Sequence, residues 1–379
     1  MHYIQNIQLG EKTKGDSSLI NLKTKVMKQV LKEVLGVDVA QKELVVTLGR
    51  MFNDLSIELY AHRVFKNSEA GIISLLKWVK LLADKDIRVH VVMEATGVYH
   101  EKFAYYLDDK GYDLSIVLPN KISNYIRTLD VKTITDKTCS EAIARFGLER
   151  KLSFWSRPHK VYKELKQLTR ERDQIVQERS MVKNQLHAEK TEAEPNKRSI
   201  ERLKSRIKFL NKQEAEIKKD VGKIVSSDNE LKQEVARITT VPGIAILTAV
   251  TVLAETNGFE LVRNKKQLTS YAGFDVKEKQ SGTSVKAKPK ISKRGNRYLR
   301  KALHLPSLSA VKYNEQHKEM YVRIVSKCGI KMKGLIAVQR KMLELIYVIW
   351  KNKTVFEKEY EQKRANNTIK VAALMQTSL

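Results

Sequence analysis

Short apolar runs bounded by polar turns fill the first third of the chain. VLGVDVA at 34–40, KELVVTLGR at 42–50, IRVHVVMEATG at 87–97 and DLSIVLP at 113–119 have the length and β-branched content of strands. Between them, ISLLKWVKLLAD at 73–84, KFAYYLDDKG closing on Gly111, and TDKTCSEAIARFGLER opening on a Thr135 or Asp136 cap predict helices. Strands alternating with helices predict an α/β domain with a parallel or mixed sheet. Ahead of it, Leu19, Ile20, Leu22, Val26, Met27, Val30 and Leu31 recur at helical spacing and predict one amphipathic helix in an N-terminal extension, residues 1–30.

The pattern changes after residue 160. Residues 160–235 are charged and poor in aromatics. Ile200, Leu203, Ile207, Leu210, Ile217, Val221 and Ile224 keep the alternating three-and-four spacing of a coiled-coil seam, interrupted at Glu214, and Leu168, Ile175 and Val182 recur every seven before it. Pro195 separates the two stretches, so the spacing predicts a long helical hairpin. The spacing leaves open whether the seam is filled within one chain or by a second protomer. From about 237, ITTVPGIAILTAVTVLAE sets a Val-Pro-Gly-Ile turn before an apolar helix, and KKQLTSYAGF predicts a short helix. NRYLRKALHLPSLSAVKY and LIAVQRKMLELIYVIW predict the helices of a mainly α-helical domain. The resulting plan is an extension at 1–30, an α/β domain at 31–152, a hairpin at 153–236, an α-helical domain at 237–350 and a polar tail at 351–379.

Composition adds a partner. The chain has 71 Lys and Arg against 43 Asp and Glu, a net charge of +28, which predicts a polyanion, most simply nucleic acid. No apolar run is long enough to span a bilayer, the best, at 244–254, being about half the required length. The first residues lack the apolar core of a signal peptide. Cys139 and Cys328 lie far apart and make neither a disulfide framework nor a metal knuckle, which suits a reducing cytoplasm. The eight histidines are scattered and predict no structural zinc.

Two groups of residues carry candidate chemistry. The stretch KQSGTSVKAKPKISKRGNRYLRK at 279–301 holds nine Lys or Arg and no acid, with Ser281 beside Gly282. Glycine lets a backbone come close to a ligand, and the cations neutralise phosphate. A hydroxyl among them is placed to attack phosphorus, or simply to hydrogen-bond a loop that grips a backbone. The second group is acidic: Asp38 lies inside an apolar strand and Glu94 ends another. Charge away from water needs a partner, and Mg²⁺ held by carboxylates and phosphates is one, a lysine the other.

Six pieces occur in the order and spacing of one family: GVDVAQKELVV, MEATGVYHEKFAYYL, TDKTCSEAIARFG, TTVPGIAILTAVTVLAE, YAGF and QSGTSVKAKPKISKRGNRYLR. Over about residues 31–350 the chain resembles the bacterial insertion-sequence transposases with an N-terminal RuvC-like DEDD domain and a C-terminal serine domain, the group that includes the pilin-gene inverting recombinases. The resemblance implies an RNase H-like fold for the first domain. It implies Mg²⁺ bound by Asp38, Glu94 and Asp136, with Cys139 standing where the family has its fourth acid. A thiol suits Mg²⁺ poorly, so Ser140 or Glu141 is left to supply an oxygen, or the site works with three carboxylates.

The resemblance further implies that Ser281 attacks DNA and becomes covalently linked to it. Lys293, Arg294 and Arg297 are expected to contact phosphates beside it, with Lys286, Lys288 and Lys290 on the approach; Ser284 is the lesser nucleophile. Tyr99 and Tyr298 are candidates for base stacking or for core packing. The expected partners are double-stranded DNA, a structured guide (bridge) RNA from the element, and further copies of the chain in a homodimer or homotetramer, with the serine domain of one protomer completing the metal site of another. No membrane is expected, and the location is the bacterial cytoplasm, at the nucleoid. Two rivals remain: a RuvC-type nuclease that uses water, and a nucleic-acid-binding relic that has lost its catalysis.

Overall fold

A computed structural model describes residues 28–95, 97–278, 280–281, 285–286 and 290–357. It divides into two compact units, the first ending at Arg157 and the second beginning at Pro158. The expected extension lies almost wholly outside the described residues; Val30 and Leu31, assigned to its helix, instead begin the first strand.

The first unit is a three-layer α/β sandwich. Its strands are β1 (Val30–Val39), β2 (Glu43–Phe52), β3 (Ile57–Lys66), β4 (Val89–Glu94) and β5 (Leu114–Val117), in the spatial order β3-β2-β1-β4-β5. β1, β2 and β3 form an antiparallel meander, while β1, β4 and β5 run parallel. This order and sense is the RNase H-like fold. β3 was not predicted: IELYAHRVFK lies at the sheet edge, and few of its residues are buried, so its apolar signal is weak.

Helices α1 (Glu69–Leu82) and α2 (Glu101–Asp109) cover one face, packing Leu75, Val79, Phe103 and Leu107 on Leu35, Val37 and Leu48. Helices α3 (Pro119–Ile126) and α4 (Asp136–Glu149) cover the other, where Ile122, Ile143 and Leu148 meet Val34 and Val92. Pro119, read from sequence as a strand stop, also opens α3, because a proline at the first helical position gives up an N–H that has no partner there anyway.

The second unit is mostly helical. α5 (Lys160–Thr191) and α6 (Lys197–Ser227) form the predicted hairpin, with Pro195 in the link and Asn196 capping α6 through the Ser199 amide. Ile175 and Val182 of α5 and Leu210, Ile217 and Val221 of α6 are buried in one core, while Leu168, Leu203, Ile207 and Ile224 are partly buried against it. Glu214, the apparent interruption, is also buried, where Arg172 and Arg179 of α5 and Lys218 reach it. Then follow α7 (Asn229–Ile238), α8 (Ile246–Thr256) and α9 (Lys265–Ala272), and after the basic stretch α10 (Arg297–Ala302), α11 (His304–Tyr313), α12 (Glu315–Cys328) and α13 (Lys331–Asn352). The helix expected to span NRYLRKALHLPSLSAVKY breaks at Leu303 into α10 and α11. The Val-Pro-Gly-Ile turn precedes α8, and Gly243 sits at φ +89° where a Cβ would stand 2.7 Å from the Pro306 carbonyl oxygen. No helix among the described residues is long and apolar enough to cross a membrane.

Candidate active site

Strand alternation aims Asp38. Leu35, Val37 and Val39 enter the core under α1 and α2, so Val34, Gly36 and Asp38 face α4. The helix lies directly on this face: a Cβ on Gly36 would stand 2.4 Å from the Ala144 nitrogen and 2.5 Å from the Ser140 carbonyl oxygen, and one on Gly147 would meet Val34 and Val92 at 2.8 Å. Followed back toward its start, α4 passes Gly147, Ala144 and Ser140 and brings its first turn, with Asp136 and Cys139, to Asp38. Thr135 caps that turn, accepting from the Thr138 amide while the Thr138 hydroxyl accepts from the Thr135 amide. Glu94 arrives from the other side. Val37 pairs with Met93 in the parallel β1–β4 ladder, so Asp38 and Glu94 are the next residues on adjacent strands, at their C-terminal ends.

The proximity acts on the charges. Asp38 is pushed up to about 6, first by burial, then by the carboxylate of Asp136 and that of Glu94, against a smaller downward pull from the Val39 amide. The charges that act on it most are negative. Burial raises the Cys139 thiol as well, and Asp38, Glu94 and Asp136 raise it further. Cys139, expected from the resemblance at the fourth acid's position, thus stands beside three carboxylates. The donor set suits a hard divalent cation, which binds through a few carboxylates and completes its shell with water and substrate phosphate. Among the described residues, no three His, Cys, Asp or Glu side chains are gathered closely enough to hold a metal ion. The expected substitutes for the fourth acid have partners of their own. The buried Ser140 hydroxyl is 2.8 Å from Thr47 Oγ1 and donates to the Lys137 carbonyl at 2.8 Å, while Glu141 faces Lys137 at 3.9 Å.

In the second unit the described residues of the basic stretch form two short ladders, a ribbon. β6 (Val276–Lys277) pairs antiparallel with β9 (Lys290–Ile291), and within that span β7 (Gln280–Ser281) pairs with β8 (Val285–Lys286). Ser281 thus lies opposite Val285, at the end of the inner ladder. Gly282, Ser284 and Lys288 lie outside the described residues.

The base of the ribbon is firmly held. Lys293, at φ +53°, donates its amide to the Gly273 carbonyl, and the Arg294 amide reaches Ser292 Oγ at 3.2 Å. Asn296 caps α10 and donates its side-chain amide to Glu255 at 2.7 Å. Glu255, on α8, is fully buried, and Arg170 of α5 grips it with two hydrogen bonds of 2.7 and 2.9 Å. No sequence signal announced this Glu255–Arg170–Asn296 node, because its members lie 41 and 85 residues apart. Tyr298, a stacking candidate, is half-buried, with the Arg170 and Arg297 guanidinium groups 4.4 and 5.0 Å from its ring centre. Tyr99 is 42% exposed.

Two family models match the chain. Residues 35–191, with Asp38, Glu94 and Asp136, match the IS110-type DEDD transposase domain, and residues 235–322, with Ser281, match the transposase IS116/IS110/IS902 family. The chain belongs to the IS110-type transposases. It is accordingly an enzyme of DNA transposition or recombination. This transposase is 26% identical over 333 residues to the pilin gene-inverting proteins of Moraxella lacunata and Moraxella bovis, covering 87% of its own length and 99% of theirs. It is also 23% identical over 120 residues to an uncharacterized 43.6 kDa protein of insertion element IS110 from Streptomyces coelicolor, 32% of this chain and 29% of that one. Among solved structures, T. thermophilus RuvC in complex with a Holliday junction substrate aligns over 32% of the transposase and 99% of RuvC, at 12% identity and a TM-score of 0.24. An Aquifex aeolicus member of the Ppx/GppA family aligns over 26% and 38%, at 14% identity and a TM-score of 0.20. The RNase H-like assignment rests on the strand order and the DEDD match.

Proposed function

We propose that this transposase cuts and rejoins DNA under the guidance of a structured RNA from its own element, using a carboxylate-held metal and a serine nucleophile. The observation that carries this reading is the convergence of Asp38, Glu94 and Asp136 at the ends of β1, β4 and α4, with the charge conflict it leaves on Asp38. Asp38, Glu94 and Asp136 would hold Mg²⁺, and a bound ion supplies Lewis-acid stabilisation to a reacting phosphate. Cys139, whose thiol burial and the three carboxylates push up, stands beside them.

Ser281 is the nucleophile in this reading. Its Oγ forms a bond to phosphorus while the bond from phosphorus to a deoxyribose oxygen breaks; the hydroxyl proton passes to solvent, and the leaving oxygen takes a proton from solvent to become a free hydroxyl. Lys286, Lys288, Lys290, Lys293, Arg294 and Arg297 take the phosphates on either side, lysine as a mobile point charge and arginine as a planar fork. The RNA carries the sequence information by base pairing, so the protein reads duplex shape and backbone. A net charge of +28 suits a protein that holds one RNA and two duplexes. The working form is a homodimer or homotetramer in which Ser281 of one copy meets the carboxylates of another. Such an enzyme works in the cytoplasm, at the nucleoid.

The test is to trap the protein–DNA link. Labelled element-end duplex is incubated with protein, guide RNA and Mg²⁺, denatured, and the labelled peptide is sequenced. The expected adduct maps to Ser281 and disappears in Ser281→Ala and in Asp38→Asn. Cleavage by Ser281→Ala at the wild-type rate, with no adduct, would make the protein a nuclease that uses water and would remove Ser281 from the chemistry.

A further inference from the structure

The first unit has a second polar feature, at the end of the sheet opposite the carboxylates. A cleft of about 750 Å³ opens between α1, the link into β4 and the turn from α2 into β5. Glu94 ends β4 and Val89 begins it, so the cleft lies roughly 17 Å from the acidic site at 3.3–3.4 Å per residue. Its size falls in the range of small-ligand sites, about 300–1,000 Å³.

The cleft combines an apolar and aromatic floor with a cationic rim. Ile73, Lys77 and Lys80 fall on one stripe of α1 and all line it. Lys85 joins them from the following link, and Lys110 and Tyr106 face it one turn apart on the opposite wall, the ammonium 6.0 Å from the ring centre. Tyr112 lies beside them. Lys77, Lys80 and Lys85 are exposed, and none has an ion pair among the described residues. Asp84 is the sole carboxylate in the lining, and it accepts from the Asp86 amide.

Hydrogen bonds and an ion pair tie the walls together. Buried Glu33 of β1 accepts from the Tyr60 hydroxyl at 3.1 Å and from the Asp84 amide at 3.0 Å, which pins the lysine-bearing link from below. Arg88 ties that link to the opposite turn through Asp113, at 3.0 Å, and through the Gly111 carbonyl. A rigid cleft with unpaired lysines around two tyrosines matches a flat base joined to phosphates.

We propose that this cleft binds an unpaired nucleotide of a single-stranded nucleic acid, the base against Tyr106 and Tyr112 and the flanking phosphates on Lys77, Lys80 and Lys110. This assignment is independent of the metal and serine chemistry. A duplex presents phosphates but no free base face, so the cleft discriminates for single strands.

The test uses the full chain and three fluorescent probes of one sequence: a 15-mer RNA, the same 15-mer as DNA, and its DNA duplex. A Lys77→Glu/Lys80→Glu/Lys110→Glu variant should bind at least one single strand about tenfold or more weakly and lose about two from the salt slope, as three contacts at roughly 0.7 each require, while duplex affinity changes less than about threefold. Loss on RNA alone assigns the site to RNA; loss on both strands assigns it to either sugar. Tyr106→Leu, which keeps an apolar side chain on the core, should weaken the same probes about tenfold through lost stacking. Circular dichroism and thermal melting check that both variants fold. Equal loss on duplex and single strands, or no loss on either single strand, overturns the assignment, as does photocrosslinking of a thiouridine probe only to residues outside the α1–α2 region.

Discussion

Carboxylates are treated in opposite ways in the two units. In the second, Glu255 and Glu214 are buried and saturated with cations: Glu255 takes two hydrogen bonds from Arg170, and Glu214 meets Arg172, Arg179 and Lys218. In the first, Asp38 is also partly buried, yet the charges pressing on it are those of Asp136 and Glu94. A buried carboxylate gripped by arginine ties helices together. A carboxylate crowded by its own kind costs stability and is retained where an incoming cation relieves it. The difference sets acids whose charge is met by cations of the fold apart from acids whose charge is not.

The largest expected effect tests the acidic side of this contrast. Asp38→Asn should lower strand cleavage by a hundredfold or more while raising the melting temperature without divalent ions, because it removes one of three like charges; the gain should be on the order of 1 kcal/mol. Mg²⁺ should then stabilise the wild type but not the variant. A variant that is both inactive and less stable would show that Asp38 is structural.

Glu255→Gln tests the paired side. It strips Arg170 of its partner and loosens Asn296 at the foot of the ribbon, so unfolding free energy should fall by about 2–4 kcal/mol in denaturant titrations. Arg170 is 38% exposed, which lets water recover part of the loss.

The hairpin should respond to acid. Burial alone would raise Glu214, but Lys218, Arg179 and Arg172 outweigh it and hold the carboxyl down at about 2. A lowered acid contributes stability that is complete above its unfolded value near 4.5 and is lost as pH falls from there toward 2. The loss should be on the order of 2–3 kcal/mol and absent in Glu214→Gln, read by helical circular dichroism during acid titration of both proteins.

The smallest effect belongs to Cys139→Asp. Placing a fourth negative charge beside Asp38, Glu94 and Asp136 should cost about 1 kcal/mol without metal and tighten divalent-ion binding several-fold by calorimetry. Unchanged affinity would mean that the fourth position does not face the ion.

Much of the fold was legible because burial imposes a period on the chain. The strands around Asp38 and Glu94 and the heptads of α5 and α6 stand out for that reason. β3 escaped because an edge strand buries little, and α3 because Pro119 both ends a strand signal and opens a helix. The ribbon around Ser281 was hidden, since two-residue ladders in a lysine-rich stretch leave no alternation to detect. Glu214 read as a flaw in the seam because its arginines come from the other helix, 35 and 42 residues away.

The sequence by itself determined which segments pack, the excess of positive charge, and the family motifs in their order. Only the tertiary structure decided which acids meet and which are neutralised. Periodicity is local and is written in neighbouring residues. The electrostatic state of Asp38, Cys139, Glu214 or Glu255 depends on groups brought across a sheet or a hairpin, at distances that sequence spacing does not encode.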